Sequence, residues 1–76
     1  MKLADLQTGQ DGKIVGFSKG GKMYRQKLMA MGLVKGTKFS ITRVAPMGDP
    51  VEIKVRGFAL SLRKTEADAL TVEVSL

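Results

Sequence analysis

Gly16, Gly21 and Lys22 stand at the spacing G-x-x-x-x-G-K. In that pattern backbone amides and a lysine cradle the phosphates of a nucleotide, between a strand and a helix. The next position is Met23, so the hydroxyl that would hold a magnesium ion is missing. The parallel sheet with crossover helices that presents such a loop does not fit into 76 residues. Nucleotide hydrolysis is therefore set aside. The chain has no histidine and no cysteine, which removes the commonest general base, the commonest transition-metal ligand and every thiolate site. Its seven carboxylates, Asp5, Asp11, Asp49, Glu52, Glu66, Asp68 and Glu73, are scattered, with no ligand spacing and no pair set for acid–base work. A weak site shared between two chains stays open. Five methionines offer soft thioethers, which suit an ion such as copper(I). Met23, Met29 and Met31 fall on or beside an expected helix and are assigned to core packing. Met47 falls in a turn between prolines, where a flexible apolar side chain suits a contact anchor. These residues imply no enzyme, no cofactor and no metal centre.

Charge carries the next signal. The net charge is +6, and all of the excess lies in residues 1–38, which hold eight basic and two acidic side chains. Between residues 19 and 38 there are six cations and no acid: Lys19, Lys22, Arg25, Lys27, Lys35 and Lys38. Such a stripe suits an acidic protein face, a phospholipid surface or a nucleic acid, or else is a solvated face that keeps a small protein soluble. Single-stranded RNA needs aromatic platforms among the cations. Of the four aromatics, Phe17, Phe39 and Phe58 fall in expected strands and look like core; only Tyr24 lies among the basic residues. A small basic RNA-binding barrel is therefore the alternative, not the leading reading. No apolar run reaches a membrane span of about 20 residues, and Asp5 sits where a signal peptide would be apolar, so a cytoplasmic protein is expected.

The elements that position these side chains are expected to form one domain over residues 1–76. Val51, Ile53 and Val55 alternate with Glu52, Lys54 and Arg56, and Phe58, Leu60 and Leu62 continue the period of two after Gly57. Residues 39–44 supply a preceding strand. The link 45–50 contains Pro46, Gly48, Asp49 and Pro50, so it is a turn. Residues 13–17 and 71–74 read as further strands, and Leu3 and Leu6 as a turn tucked under the sheet. Residues 18–21 read as a flexible glycine loop. Residues 22–31 predict a helix, with Tyr24, Leu28 and Met31 as its apolar stripe and Gly32 as its left-handed stop. Thr65, with Asp68 three residues on, predicts the cap of a short helical turn before the last strand. The sum is a mostly β protein: a small closed or nearly closed barrel of about five strands, one inserted helix and a short helical turn.

The segment Ala45-Pro46-Met47-Gly48-Asp49-Pro50 resembles the APLGDP signature of the FeoA family. Met31-Gly32-Leu33 with Gly36 resembles the family's MGL-x-x-G turn, and Leu3, Leu6 and Gly9, Leu60-Ser61-Leu62-Arg63 and Glu66-Ala67 fit as well. Lys35 stands where the family often has proline. The resemblance implies an SH3-like barrel and a cytosolic accessory role in bacterial ferrous-iron uptake. It implies contact with FeoB, an inner-membrane transporter with a GTP-binding domain. A third small Feo component and a homo-oligomer remain open, as does the choice among stimulating GTP hydrolysis, aiding assembly and gating. No nucleic acid is expected as partner, and the protein is expected to be peripheral to the membrane. SH3-like domains of this family also end metal-dependent repressors; the chain shows no DNA-binding helix pair, which argues for the transport role. The expected contact residues are Lys19, Lys22, Arg25, Lys27, Lys35, Met47 and Asp49.

Overall fold

The computed structural model describes residues 1–18 and 22–75. Five strands form one antiparallel sheet: β1 (Asp11–Phe17), β2 (Lys38–Val44), β3 (Val51–Val55), β4 (Phe58–Leu62) and β5 (Leu70–Val74). Their spatial order is β4-β3-β2-β1-β5. The alternation read in residues 51–55 holds in space: Val51, Ile53 and Val55 are buried, Glu52 is half-buried and Lys54 is exposed. Register shifts between Ile14 and Gly16 and between Ile41 and Arg43 mark bulges. Such bulges raise the local twist and let a short sheet coil around its core.

The sheet stops short of closure: β4 and β5 end the order and share no ladder. The β5 edge is covered instead by the N-terminus. Lys2 bridges Thr71, and Val72 N–H donates to the Met1 carbonyl at 2.9 Å. A single 3-10 turn, Leu3–Asp5, then drives Leu3 and Leu6 into the core, as their spacing predicts. The first strand begins at Asp11, two residues before the expected start, because Gly12 pairs on both sides, with Phe39 and with Val74.

Helix α1 (Lys22–Ala30) follows β1. Leu28 is fully buried, and Tyr24 and Met31 pack half-buried against the core. Gly32 has φ +85; its N–H bonds the Met29 carbonyl, and Leu33 N–H bonds the Leu28 carbonyl at 2.9 Å. This is the Schellman arrangement, and Leu33 drops into the core. The core assignment of Met23 and Met29 is corrected: they are 85% and 45% exposed, because α1 packs on the sheet along one narrow stripe. Phe58 is corrected too. It lies on the core-facing side of β4 but at its outer end, where no further strand covers it, and is 73% exposed.

The short helix α2 (Lys64–Asp68) precedes β5. Its cap differs from the expected one. It starts before Thr65, so Glu66, not Asp68, reaches back: its Oε1 accepts Arg63 N–H at 3.0 Å. Asp49 Oδ1 accepts Lys64 N–H at 3.2 Å. The glycine loop expected at residues 18–21 lies, from residue 19 on, outside the described residues.

Candidate protein-contact surface

Helix α1 presents Lys22, Arg25 and Lys27, all exposed. At about 100° per residue these three do not share one face. Lys22 and Arg25 are neighbours at i and i+3, while Lys27 turns to the opposite flank. The packing agrees. The Arg25 guanidinium lies 5.3 Å from the centre of the Phe17 ring, which ties it to the end of β1. The Lys27 ammonium pairs with Glu66 of α2. The Glu66 side chain is 8% exposed. The Lys27 hydrogen bond foremost, then the Arg63 N–H, holds its pKa below the usual value, against burial that acts the other way.

The turn between β2 and β3 is a 3-10 turn, Pro46–Gly48. Ala45 N–H donates to the Pro50 carbonyl at 3.1 Å and Gly48 N–H to the Ala45 carbonyl at 2.8 Å. These bonds lift Met47 to the tip, 90% exposed, with φ +64. A side chain rarely adopts that left-handed backbone. Asp49 follows with its carboxylate on α2.

The structure thus brings two of the expected residues together. Lys27 and Asp49 line one open cleft of about 520 Å³ with Pro50, Ser61, Arg63 and Glu66. Lys22, Lys35 and Met47 are not among its lining residues. Lys35 stands exposed in the loop after α1, beside Gly36, whose N–H donates to the Ile14 carbonyl at 2.7 Å. Lys19 lies outside the described residues. Sequence reasoning passed over Glu66, whose role depends on a helix far along the chain from Lys27, and over the exposed Met23 beside Lys22. Among the described residues no group of three or more His, Cys, Asp or Glu is placed to hold a metal ion. No helix among them is long and apolar enough to cross a membrane.

The model of the FeoA domain matches residues 1–74. This chain belongs to the FeoA family. The Fe(2+) transport protein A/Fe(2+) transporter FeoB fusion protein of Porphyromonas gingivalis is 32% identical over 74 residues, 97% of this chain and 9% of that protein. The chain therefore spans under a tenth of the length of that relative. A FeoA-like protein of Clostridium acetobutylicum superposes with a TM-score of 0.87 at 41% identity, over 100% of this chain and 87% of that one. The zinc-complexed FeoA of Stenotrophomonas maltophilia, described as a procaryotic SH3 domain protein, gives 0.79 at 22% identity, over 96% and 89%. At that identity the likeness is one of fold, and it identifies the FeoA sheet as SH3-like. The turn that carries the FeoA resemblance, residues 45–50, is the segment that holds Met47 and caps α2 through Asp49.

Proposed function

We propose that this chain is a non-enzymatic accessory protein of bacterial ferrous-iron uptake that works by binding a FeoB-type transporter at the cytosolic face of the inner membrane. The observation that carries the reading is the Porphyromonas gingivalis relative, in which a matching segment and the transporter share one chain. Fusion keeps two modules at high effective concentration, an arrangement that favours partners which bind each other. The surface supports the same reading. Lys22 and Arg25 form an exposed basic pair, Lys35 adds a third cation in the following loop, and Met47 offers an exposed apolar side chain at a turn tip. Long-range attraction to an acidic face speeds encounter, and an apolar anchor slows release. The acidic face is sought first on the transporter's GTP-binding domain.

The test is capture of that GTP-binding domain by this protein, with GDP and with a non-hydrolysable GTP analogue. Binding in one nucleotide state only makes the chain a reader of the switch. Binding in both makes it an assembly factor. No binding in either state, to that domain or to the whole transporter, overturns the proposal.

A further inference from the structure

The strand β4 is the unguarded edge of the sheet. It pairs with β3 without a bulge, from Val51 opposite Leu62 to Val55 opposite Phe58. The two strands are joined by Arg56-Gly57 alone, with φ of +52 and +84, the geometry of a two-residue type I′ hairpin. In that hairpin the residues flanking the turn exchange both backbone hydrogen bonds, and the bonded pairs recur every second residue. Phe58, Leu60 and Leu62 thus face β3 with their backbone groups, and Ala59 and Ser61 direct theirs outward. Among the described residues no backbone bond outside the sheet ladder involves β4, whereas the β5 edge is covered by Met1 and Lys2. Edges of this kind are normally blunted by proline, lysine or a bulge. Phe-Ala-Leu-Ser-Leu has none of these, and its first side chain is an exposed aromatic ring.

Charge decides what fits there. Arg56 lies in the turn that leads into the strand, and Arg63 and Lys64 follow its end; all three are exposed. None has a carboxylate within salt-bridge distance among the described residues. A second copy laid antiparallel on β4 would set Arg56 of one molecule beside Arg63 and Lys64 of the other, between chains of net charge +6. We infer that β4 docks an extended acidic segment of a partner protein by strand addition. The added strand hydrogen-bonds Ala59 and Ser61, lays alternate apolar side chains beside Phe58 and Leu60, and places acids at both ends. This site is separate from the basic pair on α1, and the inference does not rest on the transporter reading.

The test uses ¹⁵N-labelled protein and a synthetic peptide of alternating threonine and valine with two glutamates at each end. A matching peptide ending in lysines is the control. The expected result is amide shifts centred on Ala59 and Ser61 with the acidic peptide, and none with the control. Ala59→Pro and Ser61→Pro remove outward N–H groups without touching the β3 ladder and should each weaken binding by about tenfold or more. If either proline variant misfolds, Arg56→Glu with Lys64→Glu serves instead, with the same loss for the acidic peptide and a gain for the lysine one. No shift at millimolar peptide, equal response to both peptides, or shifts confined to α1 would overturn the inference. So would concentration-dependent shifts at Ala59 and Ser61 without peptide, which would give the edge to a second copy. Failure here leaves transporter capture through α1 standing, so the two readings fail separately.

Discussion

Glu66 joins three parts of the molecule. Its carboxylate accepts the N–H that starts α2 and pairs with Lys27 of α1, while its side chain is almost wholly buried. A carboxyl held below its ordinary pKa in the folded state stabilises the fold above its unfolded pKa, and that contribution is lost as pH falls through the folded pKa. Glu66→Gln keeps the cap acceptor and removes the charge. It should cost about 1 kcal/mol at pH 7, modest because the Lys27 end is open to water, and progressively less in acid as pH falls through the folded-state pKa. Urea melts at pH 7 and in acid check this; an equal loss at both would mean the pair is not the cause. At this scale the sequence was partly legible. The exposed tip at Met47 followed from its two flanking prolines. The Lys27–Glu66 pair did not, since nothing local says that α2 will lie against α1. Nor did the work of Asp49, whose turn signal hides a capping bond to a helix yet to come.

Among the elements, strands were read well where both faces differ, as at 51–55, and less well at their ends. Gly12 shows why. A loop was expected through residue 12, yet a Cβ there would sit 2.6 Å from the Phe39 ring and 2.8 Å from the Glu73 carbonyl. The glycine is a close-approach residue inside β1, and close approach leaves no trace in periodicity. Gly12→Ala should therefore destabilise the fold by about 1–3 kcal/mol, the cost of forcing a methyl into a filled space. A melting curve within error of wild type would contradict the packing described. The stop of α1 was legible, because left-handed backbone demands glycine. Gly32→Ala should cost about 1 kcal/mol, read by the same melt, with the Arg56 guanidinium displaced from the spot 3.1 Å away. The exposure of Phe58 was not legible: alternation assigns a residue to a face, but only the strand order reveals that β4 lies at an edge.

At the scale of the whole molecule, five short strands and two helices are described, and the proposed contacts lie on their surface. Its charge is polarised along the chain, with the excess in the first half. The structure changes how that surface must be probed. Reversing Lys27 along with Lys22 and Arg25 would put a second carboxylate against buried Glu66, so lost binding would be confused with lost folding. The informative variant is Lys22→Glu, Arg25→Glu and Lys35→Glu, which leaves Lys27 in place. Wild-type association with the transporter should slow steeply between low and physiological salt, and the variant should lose both the rate and its salt dependence. Stopped-flow association reads both. Whole-chain family resemblance made the architecture legible from the sequence; the open β4 edge was hidden, because barrel closure depends on which strands finally meet.

The most direct measurement is capture of the full-length FeoB-type transporter, in detergent, by the wild-type chain and by the folded Lys22→Glu, Arg25→Glu, Lys35→Glu variant side by side. The account predicts capture by the wild type and its loss in a variant whose melting curve is unchanged. Undiminished capture by that variant, or none by either protein, would contradict it.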